Sequence, residues 1–222
     1  SAKSAPNNPA PTMPAETQFL NRAVVFASVL VYWGGVLVQA RRVRRRIGKS
    51  PNLNPRGTKE RLLWAGWMFV IIGWLAQAFL IGRLDVAGFR LVASLSNAIA
   101  QVIGLTVVAL GYAGTLWCYA AMGDLWRIGI DHSKKVALVS SGPYRFVRHP
   151  IYSFQTVMLI GAFWLLPAGF SLALVLAHLI CVRIKAADEE AYLLTTLGDE
   201  YRHYLASTGR LVPRVLPPAT RP

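Results

Sequence analysis

The chain reads as an all-α integral membrane protein with five transmembrane helices, the last two forming a short hairpin, and a cytoplasmic amphipathic C-terminal helix. Three observations predict this. Apolar residues make up 54% of the chain and charged residues 15%. Long uncharged runs recur, each near the 20 or so residues that cross about 30 Å of hydrocarbon as a helix. The cations lie in clusters between those runs, and alternate spans place 20 of the 24 Lys and Arg on one face, all but Lys3, Arg22, Arg83 and Arg90. That clustering also answers the net charge of +14, which would otherwise suggest nucleic acid. Cationic loops of a membrane protein account for it, and no nucleic-acid partner is expected.

Residues 1–18, with Pro6, Pro9, Pro11 and Pro14 among Ala, Asn and Ser, bury too little surface to order themselves and read as a flexible tail. They lack the basic region and apolar core of a signal peptide, and whether residues 1–12 are native is left open by the sequence. The region 19–121 then carries three spans. Ala23–Ala40 is the first, and Leu62–Gly82, opened by Trp64 and Trp67, is the second. The basic loop 41–61 joins them, suited to anionic headgroups and to a cytoplasmic position. Leu91–Gly123 is uncharged and longer than one span needs, so the third helix is expected to leave the membrane near Trp117 or Tyr119. Gly66 and Gly73, and Gly104 and Gly111, lie seven apart on one helix face, where small residues let helices approach closely.

The region 122–213 begins with a loop and continues into a hairpin over 150–187. At about 1.5 Å per residue, a single helix from Pro150 to Val182 would be roughly 50 Å long. Pro167 and Gly169 would break it at the centre. Two short helices also bring the residues at both ends of the run to one membrane face. An amphipathic helix is expected from about Asp188 to Ala206, ended by Gly209 and Pro213, with 214–222 as a tail. The positive-inside rule puts the amino terminus of this multi-pass protein outside and the carboxyl terminus in the cytoplasm. Cys118 and Cys181 sit in apolar runs and read as buried thiols. The four histidines show no zinc-ligand spacing, and no metal is expected.

The chemistry concentrates in Gly142-Pro143-Tyr144-Arg145-Phe146-Val147-Arg148-His149-Pro150-Ile151-Tyr152, at one end of the hairpin, and in Asp188-Glu189-Glu190, at the other. Cations at one helix mouth and acids at the next suit a zwitterionic ligand at the membrane surface. With Gly198-Asp199-Glu200-Tyr201-Arg202-His203-Tyr204, these segments resemble the signature of the isoprenylcysteine carboxyl methyltransferase family and its phospholipid methyltransferase relatives: Arg-His-Pro-x-Tyr, a Glu-Glu pair, then Gly-x-x-Tyr-x-x-Tyr. The resemblance covers roughly Met122 to Pro213. Gly123–Asp131 and the run from Leu138 to Gly142 are similar to segments of bacterial members. Where the eukaryotic enzymes carry an Arg four residues before the Glu pair, this chain has Lys185, with Arg183 nearby.

The resemblance implies an integral-membrane methyltransferase that uses S-adenosyl-L-methionine and acts on a lipophilic acceptor entering from the bilayer, with membrane lipid as its surroundings. It also implies that the Arg-His-Pro segment and the Glu pair line the cofactor pocket. The residue types fit. Arg148 or His149 can meet the ligand's carboxylate, and one of Glu189 and Glu190 can meet its ammonium or ribose. Tyr144, Tyr152 and Pro143 offer surface to adenine, and Pro150 leaves amides free at a helix start. Leu138 and Gly142 complete the expected cofactor-binding set, and Arg148, His149 and Glu190 the expected catalytic set.

Each residue taken alone has a plainer reading: Arg145 and Arg148 as flanking cations, His149 as an interfacial histidine, the acids as a solvated helix segment, and Tyr201 and Tyr204 as packing. Their joint occurrence favours the site. Two other functions compete. One is a membrane reductase binding a nicotinamide cofactor. The other is a non-enzymatic scaffold or channel, with Gln77, Asn97, Gln101, Gln155 and His178 lining a polar path. The sequence leaves the acceptor, the methylated atom and the oligomeric state open.

Overall fold

The computed structural model describes residues 13–47, 57–123 and 138–214. Six α-helices follow in order: α1 Ala15–Ile47, α2 Thr58–Leu80, α3 Ala98–Met122, α4 Pro150–Leu165, α5 Gly169–Leu197 and α6 Asp199–Ser207. Among the described residues no strand forms, and all the regular structure there is helical. Helices α1, α2, α3 and α5 are long and apolar enough to cross a membrane. Helix α4 is apolar but has 16 residues, about 24 Å of helix, short of a typical hydrocarbon core.

Local sequence sets most of the helix limits, and three differ from expectation. Helix α1 starts at Ala15, inside the segment read as a flexible tail, and runs beyond Ala40 to Ile47. Arginines are good helix formers, and beyond Ala40 the sequence has no glycine or proline until Gly48. Helix α3 starts late, at Ala98, where the Asn97 side chain accepts from the Ala100 amide at 2.9 Å. The apolar residues before it form two single 3-10 turns, Ala87–Phe89 and Ala93–Leu95. Helix α5 replaces the separate surface helix expected from Asp188. With no glycine or proline between Phe170 and Leu197, the span simply continues past its charges. It stops at Gly198, whose φ of 57° is left-handed, leaving only Asp199–Ser207 for α6.

The break between α4 and α5 falls at Leu166–Ala168, as Pro167 and Gly169 predict. Its tip packs on the α2–α3 connection. The Val92 amide donates to the Pro167 carbonyl at 2.8 Å, and Phe89 stacks on Phe170 with centroids 4.6 Å apart. Between the helices, glycines set the spacing. A Cβ on Gly66 would meet Cys181, and one on Gly73 would meet Leu174, so α2 lies tight against α5. Likewise Gly104, Gly111 and Gly114 leave room for Leu165, Met158 and Phe154, bringing α3 onto α4. Val25, Val29, Val70, Trp74, Val108, Met158, Leu159 and Leu165 are buried in the centre. Leu30, Val31, Ile72, Val102, Leu110, Leu116, Leu172 and Leu176 are exposed. Helices apolar on both faces belong in lipid.

Polar groups within the spans tie helices together. Gln101 donates to Asn21 and Asn21 to the Leu165 carbonyl, each at 3.0 Å. Ser171 donates to Gln77 at 2.9 Å. Gln77, Asn97 and Gln101 are therefore occupied in packing and capping bonds, not aligned along a path.

Candidate functional site at the α4–α5 mouth

The segment before α4 is shaped by its own residues. Gly142 adopts φ 58°, a conformation that side chains rarely take, and a Cβ there would also crowd Ala121 and Trp117. Pro143 follows in a 3-10 turn, Gly142–Arg145. The chain then runs extended beside the residues that follow α6. Gly209 donates to the Phe146 carbonyl at 3.2 Å, Arg148 to Gly209 at 2.8 Å and His149 to Arg210 at 3.1 Å, a short parallel pairing. The Ser153 hydroxyl adds a bond to the Leu211 carbonyl at 2.6 Å. Pro150 then starts α4 at a position where a missing amide costs nothing.

This pairing brings the cations and acids together. Arg148 Nε donates to Glu190 Oε1 at 2.8 Å, and its Nη1 donates to the carbonyls of Leu205 and Thr208. From the other side Arg210 meets Glu190, with Nε 3.0 Å and Nη2 2.6 Å from Oε2. The Glu190 and Arg148 side chains are only 7% and 10% exposed. A carboxylate so buried needs such partners, since unpaired burial of a charge is costly.

Glu189, one residue away, points to a different set. It accepts from the Tyr152 hydroxyl at 3.0 Å and lies 3.4 Å from His149 Nδ1, with 20% of its side chain exposed. The His149 ring stacks on Tyr152. Its Nε2 is 3.3 Å from Glu190 Oε1 but not aligned for a hydrogen bond. Burial pushes the imidazole pKa down, but the Glu189 and Glu190 carboxylates outweigh it, so His149 titrates above its ordinary value. Behind Tyr152 stands Trp67 of α2, 6.1 Å away, itself edge-on to the buried His178.

Arg148, His149, Pro150, Tyr152, Glu189 and Glu190 thus meet within one cluster. Tyr144 and Pro143 are buried in the adjoining turn, where the Tyr144 carbonyl accepts from the Tyr204 hydroxyl at 2.6 Å. Gly142 shapes that turn. Leu138 lies at the start of the described segment 138–214. Trp126 and most of Gly123–Asp131 fall outside the described residues. The sequence does not single out Arg210 or Thr208, and Gly209 stands out in it only as a helix end. A basic residue shortly after Gly-x-x-Tyr-x-x-Tyr is the one signal that points to them, and it is weak without the fold.

Comparison with known proteins adds family and fold. Residues 102–195 match the model of the isoprenylcysteine carboxyl methyltransferase (ICMT) family. The chain is 27% identical over 206 residues to a methanethiol S-methyltransferase of Pseudomonas sp. (strain GM41(2012)), an alignment covering 91% of this chain and 61% of that protein. It is 28% identical over 114 residues to the nickel-cobalt-cadmium resistance protein NccN of Alcaligenes xylosoxydans xylosoxydans, covering 51% of this chain and 49% of the other. It therefore spans about half to three fifths of the length of these relatives. The solved structure of the eukaryotic intramembrane Ras methyltransferase ICMT superposes with a TM-score of 0.63 at 19% identity, over 91% of this chain and 70% of that one. The stretch that matches the isoprenylcysteine carboxyl methyltransferase family model holds both the Arg-His-Pro segment and the Glu pair, and the chain shares the fold of the solved member.

Proposed function

We propose that the protein is an integral-membrane S-adenosyl-L-methionine-dependent methyltransferase acting on a lipophilic acceptor, a thiol or an isoprenylcysteine-like carboxylate. In this reading α4 and α5 form a hairpin that makes five spans in all, in a bacterial inner membrane. The amino terminus lies outside, and the basic ends of α1 and α5 lie in the cytoplasm. The observation that carries the reading is the meeting of His149, Tyr152 and Glu189 beside the Arg148–Glu190 pair at one end of the hairpin.

The donor set fits the cofactor. Glu189 keeps a partly exposed carboxylate for its ammonium or ribose, and the buried His149 Nε2 lacks an aligned partner. Tyr152 and the Tyr144–Pro143 turn offer flat surface, and the α4 start offers amides to its carboxylate. Arg148 and Glu190 serve by holding the C-terminal segment against the signature, so that these groups keep their positions. When bound, the cofactor supplies a methyl carbon bonded to a sulfonium sulfur, which leaves as a neutral thioether. The chain's part is to align that carbon with the acceptor and keep water away. A thiolate or carboxylate acceptor needs no general base, which suits a site where both acids are already engaged.

Calorimetry on purified protein in detergent tests the assignment. S-adenosylmethionine should bind and NADPH should not. Glu189→Gln should weaken that binding about tenfold or more while the melting temperature stays near wild type. Binding of NADPH alone would favour a reductase, and binding of neither would leave the enzyme reading without support. Unchanged affinity in Glu189→Gln would remove Glu189 from the pocket.

A further inference from the structure

The end of the bundle where α2 begins holds a second feature, a cleft of about 650 Å³ between α2 and α5. Its walls are apolar, formed by Leu62 and Leu63 from α2 and by Ile180 and Ile184 from α5. Leu62 is 69% exposed and Ile180 61%, so the cleft opens towards the lipid side of the helices. Its rim is cationic, with Lys59, Arg183 and Arg210 against the single carboxylate of Asp188. Lys59 meets Asp188 at 2.6 Å, but both side chains are well exposed, and such pairs hold weakly. Among the described residues Arg183 forms no ion pair.

Apolar walls call for a hydrocarbon chain, which free phosphate or a nucleotide lacks. A cationic rim calls for an anion, which a neutral lipid lacks. Basic pockets between membrane helices take acidic lipid headgroups, and the volume lies within the range of ligand sites. We propose that this cleft holds an anionic phospholipid of the surrounding bilayer. Its headgroup phosphate rests on Lys59 and Arg183, and an acyl chain lies against Leu62, Leu63, Ile180 and Ile184. The occupant is a resident ligand and not the methyl acceptor, because His149, Tyr152 and Glu189 do not line the cleft. Arg210 lines the cleft and also holds Glu190, so the lipid touches the residue that closes the neighbouring cluster.

The test is native mass spectrometry of the full chain in detergent, after incubation with equal amounts of phosphatidylglycerol and phosphatidylcholine of matched chains. Wild type should retain one phosphatidylglycerol about tenfold better than phosphatidylcholine. Lys59→Gln with Arg183→Gln should lower that retention about tenfold, and Ile184→Trp, which fills the wall with the charges intact, should lower it too. Arg61→Gln, on the same turn of α2 but outside the cleft, should retain lipid as wild type does. Equal retention of the two lipids overturns the proposal, as does loss in Arg61→Gln matching the double variant, or full retention in both cleft variants. Release of the bound lipid as a methylated product on adding S-adenosylmethionine would make the cleft the acceptor site, and that also overturns it.

Discussion

Helix α4 takes part in two regions that are held together by opposite means. Along its length it crosses α3 through glycines, with Gly104, Gly111 and Gly114 on one side and Gly161 on the other. At its start it meets the Arg148–Glu190–Arg210 cluster, where nearly every bond is to a charge. The contrast follows the solvent. Within lipid there is no hydrophobic gain in bringing two apolar helices together, so close van der Waals approach between small residues must supply the attraction. At the mouth of the bundle charges are available but half removed from water, and they remain favourable only while each has a partner. Tightness is therefore a matter of shape in one region and of charge balance in the other.

The largest expected effect breaks the charge balance. Arg148→Ala or Glu190→Ala leaves its buried partner unpaired and should cost about 3–5 kcal/mol, read by chemical unfolding in detergent. Arg148→Met combined with Glu190→Leu should lose clearly less than the two single losses added. Equal stability of the single variants and wild type would mean that the cluster clamps nothing. A smaller loss is expected from shape. A Leu at Gly161 must displace Val108 and approach the Gly104 carbonyl, which should cost about 1–3 kcal/mol. Gly34→Leu, with nothing within 4 Å of its Cβ, is the matched control and should melt as wild type does. If both variants melt alike, the glycine seam does not set the helix spacing.

The smallest effect is a pH dependence that only the charged region should show. His149 faces Glu189 and Glu190, with Arg148 and Arg210 close behind, and its pKa in the folded protein lies above the ordinary value. Its charged form thus stabilises the fold fully below about pH 6.5. That contribution is lost as the pH rises through the raised value. The melting temperature of wild type should fall by a few degrees more than that of His149→Gln between pH 6 and pH 9. Parallel curves would mean that the imidazole stays neutral throughout.

Much of this was legible in the chain itself, and the rest was hidden for identifiable reasons. Pro167 and Gly169 forecast the α4–α5 break because both act locally on the backbone, and Gly73 and Gly111 forecast seams because side-chain size is written in the residue. The signature segments pointed to the region where Arg148, His149, Glu189 and Glu190 gather. Their division of labour was not legible, since it depends on which way two adjacent carboxylates point around α5. The charges after Val182 suggest a hairpin that closes by residue 187 and a separate helix from Asp188, whereas no helix breaker intervenes and α5 continues to Leu197. Arg210 escaped notice because its role is fixed by main-chain pairing between Val147 and Gly209, a contact between irregular segments with no periodicity to reveal it.

That pairing also bears on how the protein is made. The signature leaves the ribosome about sixty residues ahead of Thr208, whose carbonyl receives Arg148. During that interval the spans can insert one after another, while Arg148 and, later, Glu190 wait without Arg210. Closure of the site therefore waits on the emergence of the segment that follows α6, and not on insertion of the helices before it. A nascent chain halted before Gly209 should hold α1 to α5 with the polar mouth between α4 and α5 still open. Quality-control proteases that sample exposed basic segments would meet it in that state.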